Sequence, residues 1–330
     1  MNVLLRLIPL ILAFAFALDA RAADAAQLTI YTADPASLAN DLAKGFEAAT
    51  GTQMRVYAAT TGQEMARLQA EEGRPQADIV ILAAWSAGLA LQEQNQVFAY
   101  RPAVVLKTIR PGFAPPGDFL PIGGDTVSIV VNTSALPKSA TPHDWFDLQQ
   151  TAWNGKISMP DPLLSGTSSD FVLAFIAQYG NRGWNFFRAI KAGGAIWPGP
   201  NAAALAPVTA GARWALLAGV GHIALDAKAQ GNTLDLLFPS SGTVLIPRPI
   251  IILKSSPSKA LAERFVDYAL SPAGQQLVAK ANLLPAITSV PASSSWPNLQ
   301  KIRFLSPDWR ALAKMREAVL KQFTTDILGR

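Results

Sequence analysis

The 330-residue chain contains no cysteine and two histidines, and only 15% of its residues are charged. Without cysteine there are no disulfides, thiolate metal sites or cysteine nucleophiles, and no cysteine to carry an N-terminal lipid. The two histidines, His143 and His222, leave a small stock of general bases. Neither a Gly-x-Ser-x-Gly elbow, a His-Glu-x-x-His pair nor a Walker loop occurs. A secreted hydrolase is the competing class, and spacing alone leaves one built on Asp and Glu open. Such an enzyme would turn over a chromogenic phosphate or glycoside; a binding protein would not, and no enzyme is expected here. No run of basic residues interleaves with aromatics, so nucleic acid is not an expected partner. After Leu18 no apolar stretch is long enough to span a bilayer, because Thr243 to Leu253 is broken by Pro247-Arg248-Pro249.

What the chain has is 50% hydrophobic residues, enough for a large core and most simply for two lobes. Met1 to Arg6 followed by the apolar Leu7 to Leu18 and by Ala20-Arg21-Ala22 reads as a secretory signal peptide over residues 1–22. Its removal takes away Arg6, Arg21 and Asp19, leaving 26 basic and 22 acidic residues and a net charge of +4. The expectation is a soluble, non-lipidated periplasmic protein. Its mild positive balance suits a small anionic ligand.

From Gln27 strand and helix patterns alternate. Strands are expected at Gln27–Thr32, Gln53–Ala58, Ala77–Leu82, Asp125–Thr133, Gly221–Leu225 and Thr243–Lys254, with a helix through Val208 to Leu217 before the fifth. This is an α/β arrangement, in which ligands collect at the carboxyl ends of parallel strands. Residues 23–124 are read as the first part of lobe 1, 125–248 as lobe 2, and 249–330 as the return to lobe 1 with C-terminal helices.

Two helix starts carry small hydroxyl residues. In Leu163-Leu164-Ser165-Gly166-Thr167-Ser168-Ser169-Asp170 either Ser165 or Thr167 serves as N-cap, and Asp170 stands at capping-box spacing from Thr167. Thr60-Thr61-Gly62-Gln63-Glu64 offers a second box, Thr61 with Glu64. Free first-turn N–H groups and the helix dipole make such ends attractive to anions. Capping alone is the plainer reading of each.

Four segments together carry a resemblance: Gly73 to Val80, Pro160-Asp161-Pro162 before Ser165-Gly166-Thr167, Phe238 to Thr243, and Leu261 to Gln276. The chain resembles the extracellular solute-binding proteins of ABC importers, in the branch that handles ferric ion, phosphonates and phosphorylated small molecules. The resemblance implies a two-lobe periplasmic-binding-protein fold of type II with a ligand cleft, and a monomer that docks on a membrane permease and, through it, its ATPase. No catalysis and no cofactor are implied. Carried over by position, the pocket comprises Thr32, Thr60, Thr61, Trp85, Ser165, Gly166, Thr167 and Asp226. Ferric-binding members use two adjacent tyrosines after the strand expected to end at Leu225. Here Asp226-Ala227-Lys228 follows, and no two of the five tyrosines are adjacent, so no metal site of that type is expected.

The expected ligand is a phosphonate or phosphate ester, its oxyanion on the hydroxyls and its organic end on Asp226. Asp226 as a helix N-cap, and Trp85 as ordinary packing rather than cleft wall, are the competing readings. Arg248, Lys228 and Arg213 are candidate counter-charges, with Arg248 singled out on the return strand; the ordinary reading of such an arginine is a solvated surface. His222 is read as a satisfied core histidine in a strand. A ferric complex and a polyamine- or thiamine-like cation are the alternative ligands. A receptor-docking signalling role differs only in the protein partner.

Overall fold

The computed structural model describes residues 27–113 and 116–330; the expected leader at 1–22 lies outside them. In chain order the elements are β1 (Gln27–Thr32), α1 (Ala36–Thr50), β2 (Gln53–Ala58), α2 (Thr61–Ala70), β3 (Ile79–Ile81), α3 (Trp85–Glu93), β4 (Val97–Phe98), α4 (Ala103–Leu106) and β5 (Leu120–Asn132). Then come β6 (Ile157–Ser158), α5 (Gly166–Tyr179), α6 (Asn181–Ala192), α7 (Asn201–Thr209), β7 (Ala215–Val220), α8 (Gly221–Ala229), β8 (Leu234–Leu237) and β9 (Thr243–Leu253). The chain closes with α9 (Lys259–Ala269), α10 (Pro272–Lys280), β10 (Leu284–Pro285), β11 (Phe304–Leu305) and α11 (Trp309–Phe323).

The strands join in the order β2-β1-β3-β9-β5-β7-β6. β1 runs parallel to β2 and β3, whereas β9 runs antiparallel to β3 and β5. The first half of β5 pairs with β9 and β10, and its second half with β7 and β8. One strand therefore belongs to both halves of a two-lobe α/β fold.

Local sequence explains most elements. In α1, Leu38, Leu42 and Phe46 recur on one face and are buried, each contributing about 1.5–3 kcal/mol. Gly51 ends the helix in the left-handed conformation, its N–H on the Glu47 carbonyl. α5 is buried from Gly166 through Ile176, because it packs against both α6 and α11 as well as the strands. Phe171 and Phe175 meet Trp145 and Phe186 in an aromatic core.

The structure corrects the reading of 208–225. The segment expected to be helix to Leu217 holds the end of α7 and the first half of β7, and the expected strand from Gly221 is helix α8. The run Ala215-Leu216-Leu217-Ala218-Gly219-Val220-Gly221 is apolar throughout, so it has no period to tell strand from helix. Packing decides the break. A Cβ on Gly221 would collide with the Trp296 ring and stand 2.8 Å from Asp125 Oδ1, so α8 begins where only glycine fits.

Candidate functional site

The two hydroxyl-rich helix starts meet, but they meet each other. At α2 the N-cap is Thr60, which exchanges hydrogen bonds with Gln63; Thr61 and Glu64 do not form the box. Thr61 Oγ1 instead accepts from Ala83 N at 3.0 Å, and Gly62 N donates to the Leu164 carbonyl at 3.2 Å. At α5, Ser165 is the N-cap; it accepts from Ser168 N and donates to Asn201 Oδ1 at 2.8 Å. Thr167 Oγ1 donates to the Ala83 carbonyl. A Cβ on Gly166 would lie 2.5 Å from Thr61 Oγ1 and 2.9 Å from the Ala83 carbonyl carbon. These groups build a buried seam between α2, α3 and α5.

Asp170 completes the seam. It does not cap its own helix. Its carboxylate accepts from Trp85 N at 2.7 Å, Ser86 N and the Ser86 hydroxyl, capping the start of α3 across the seam. Arg316 of α11 stands 3.8 Å away and donates to Ser86 and Ser169. Burial pushes the Asp170 carboxyl up to about 6, against Arg316 and the Ser86 and Trp85 donors. Trp85 is fully buried, its indole N–H on the Pro116 carbonyl and its ring against Phe119, so it is not a cleft wall. Thr32 is also buried, with Oγ1 accepting from Asp34 N at 3.0 Å.

Beside this seam opens a cleft of about 540 Å³. One side is the β1–α1 turn, Ala33-Asp34-Pro35, with Ala83. The other comprises the first turn and one face of α7, a face of α8 carrying His222 and Asp226, and Gln230 just past the end of α8. Of the residues singled out from sequence, Asp226 and Arg248 line it; Thr32, Thr60, Thr61, Trp85, Ser165, Gly166 and Thr167 do not.

Arg248 is buried, not a surface side chain. Its Nε pairs with Asp34, and Nη2 donates to the Ala33 carbonyl at 2.7 Å. Nη1 has no hydrogen-bond partner among the described residues. His222 sits in the first turn of α8, not in a strand. Its Nδ1 is paired with the buried Asp125 carboxylate, itself held by Thr126 N. That pairing leaves Nε2 as the imidazole nitrogen available to the cleft. Asp226 lies within α8 and caps nothing; its Oδ1 accepts from Asn282 Nδ2 at 2.7 Å. Lys228 pairs with Asp235 at the surface, and Arg213 donates to the Gly155 and Gly194 carbonyls, so neither lines the cleft. Among the described residues no three His, Asp or Glu side chains cluster as a metal centre.

Residues 75–315, most of the chain, match the model of the bacterial extracellular solute-binding proteins. The chain belongs to that family. Its members are the solute-binding components of ABC importers rather than enzymes, and this solute-binding protein shares their two-lobe fold. The periplasmic binding protein AfuA of Actinobacillus pleuropneumoniae, solved with fructose-6-phosphate, superposes with a TM-score of 0.85 at 23% identity, covering 92% of this chain and 99% of that one. Iron-bound HitA of Pseudomonas aeruginosa gives 0.81 at 20% identity, covering 90% and 98%. The phosphoglycerate transport regulatory protein PgtC of Salmonella typhimurium is 26% identical over 213 residues, 60% of this chain and 51% of that one. This solute-binding protein thus spans about half the length of PgtC. No helix among its described residues is long and apolar enough to cross a membrane.

Sequence reasoning missed Asp34, Asp125 and Asn282. Asp34 had a usable signal, an acid before proline at the carboxyl end of β1. Nothing local announces Asn282, whose left-handed backbone (φ 54°) is held by its side-chain bond to Asp226 and by Trp296 Nε1 on its carbonyl.

Proposed function

We propose that this solute-binding protein captures a small organic anion, a phosphate ester or phosphonate that also carries hydroxyl or amine donors, and presents it to a membrane permease. The observation that carries this reading is Arg248. It is a buried guanidinium on the cleft, fixed through Nε and Nη2, with Nη1 unspent among the described residues. Fixed, water-poor guanidinium donors favour oxyanions, and charge-assisted bonds are the stronger class. His222 Nε2 and the starts of α7 and α8 add donors, while Asp226 supplies an acceptor for the ligand's organic end. An all-anionic guest would meet Asp226 unfavourably; one with a hydroxyl or ammonium would not.

The likeness to AfuA and PgtC supports the same class, since fructose-6-phosphate and phosphoglycerate are both phosphorylated hydroxy compounds. Contacts from both lobes would favour a closed form on binding. HitA favours a second reading, a ferric complex. Ferric ion prefers anionic oxygens; the cleft offers Asp226 and the Arg248-paired Asp34, and no tyrosine lines it.

A thermal-shift screen tests this with fructose 6-phosphate, 3-phosphoglycerate, 2-aminoethylphosphonate, sulfate, ferric citrate and spermidine. A ligand at a hundred times its Kd adds about 2.7 kcal/mol of stability. The expected hit is a phosphorus compound whose binding weakens at least about tenfold in Arg248→Gln, the scale of a charge-assisted bond. A shift with ferric citrate or spermidine alone would overturn the ligand class and leave the family.

A further inference from the structure

The Glu64 carboxylate has no hydrogen-bond partner among the described residues although it is fully buried. Glu64 stands in the first turn of α2, is 0% exposed, and neither carboxyl oxygen is bonded to anything among the described residues. Asp34 Oδ2 is buried and unpartnered in the same way. Asp34 and Arg248 are also the two charges that act on Glu64, the first raising its pKa and the second lowering it. The floor of the cleft, Asp34 and Arg248, together with Glu64 buried outside the cleft lining, holds two acids and one guanidinium, and three of the four carboxyl oxygens are orphaned among the described residues.

Two ionised carboxylates against one guanidinium would leave a buried negative charge uncompensated, which is costly. Like charges sharing a dry site resolve this by keeping one proton between them. A neutral carboxylic acid also supplies an O–H donor, the kind of group the orphaned oxygens lack. Glu64 lies in the first turn of α2, whose positive end favours the anion, but only weakly compared with the cost of an uncompensated buried charge. Burial, followed by Asp34, moves the Glu64 pKa well up from its ordinary value.

Resting on the reading of the cleft as an anion site, we propose that Glu64 is a positioning residue for Arg248, carried as a neutral acid so that Asp34 alone balances the guanidinium and Nη1 remains available to the guest. Ionised, Glu64 would compete for the same guanidinium and give the floor a net negative charge. The charged groups that face it are Asp34 from the β1–α1 turn and Arg248 from β9. The His222–Asp125 pair also borders the cleft, and it is the same in a Glu64 variant.

Sulfate is a suitable probe, because it keeps one charge state where phosphate esters titrate. Its affinity is measured between about pH 6 and about pH 9 for the wild-type protein and Glu64→Gln, which mimics the neutral acid. Over the pH range in which the carboxyl ¹³C spectrum shows Glu64 ionising, wild-type affinity is expected to fall by roughly tenfold more than that of the variant, the scale of one unit charge added close to the site. The His222–Asp125 pair is present in both proteins, so the comparison isolates Glu64. Carboxyl ¹³C NMR of the wild-type protein, assigned through the backbone and so independent of whether the variant folds, is expected to show Glu64 neutral at pH 7. An ionised Glu64 at pH 7 would overturn the proposal, as would parallel profiles across a pH range in which the carboxyl spectrum shows Glu64 ionising. No sulfate binding at any pH would overturn the anion reading and this inference with it, and the carboxyl spectrum distinguishes that outcome from an ionised Glu64.

Discussion

The seam around Asp170 and the cleft around Arg248 use the same materials to opposite ends. Both combine a buried carboxylate with an arginine and place helix starts beside them. In the seam every such group is turned on a neighbour: Asp170 caps α3, Thr61 and Thr167 close on Ala83, and Gly166 lets α5 approach α2. In the cleft the pairing is incomplete, with Arg248 Nη1 and His222 Nε2 left over among the described residues. A helix start is thus a candidate anion site only if nothing else in the fold has taken its donors.

If that contrast is right, substitutions in the seam should cost stability and spare affinity, and those in the cleft should do the reverse. The largest effect is expected from Asp170→Ala. It removes the cap of α3 and leaves Arg316 buried beside no carboxylate, a loss of about 3–5 kcal/mol by denaturant unfolding at pH 7. The folded fraction should bind with unchanged Kd; a seam variant that weakens binding tenfold would break the comparison.

The pH dependence of stability comes next. The folded protein holds the Asp170 proton up to about 6, whereas the unfolded chain releases it near 3.8. Between those values the native state binds more protons, so this group's contribution falls as pH rises through the window, by about 3 kcal/mol in all. Asp170→Asn should flatten that part of the stability–pH curve, measured by urea midpoints from about pH 4 to about pH 7. An unchanged slope would mean that Asp170 titrates at its ordinary value.

The smallest effect is expected from Asp226→Asn. It exchanges an ionic acceptor for a neutral one and should weaken a hydroxyl- or amine-bearing ligand by about 1 kcal/mol, read by calorimetry, with little change in stability. Equal affinity for wild type and variant would remove Asp226 from the ligand set.

Much of the fold was legible because its signals are local. β1 and β2 were read to the residue, and the helices of the C-terminal third follow plain apolar periodicity. The β7–α8 boundary was not, since a run apolar on every side carries no period. The site was legible in part. Arg248 drew notice as a charge between prolines in an apolar strand, yet its burial depends on Asp34, 214 positions away. Thr61, Ser165 and Gly166 carried the right local chemistry for an anion, but local chemistry does not say which other segment arrives first.

The placement of Arg248 on β9 has a mechanical consequence. β9 and β5 are the paired strands through which the two groups of strands are joined, so any bending of one lobe on the other pivots close to them. Points near a fulcrum travel little, and α8 is tied there by His222 on Asp125 of β5, whereas α7, packed on β7 and β6, lies farther out along the moving arm. A guest would then be gripped at the pivot before the arm swings, and the open form would owe its affinity mainly to Arg248. The grip from α7 would be added only at the end of the stroke.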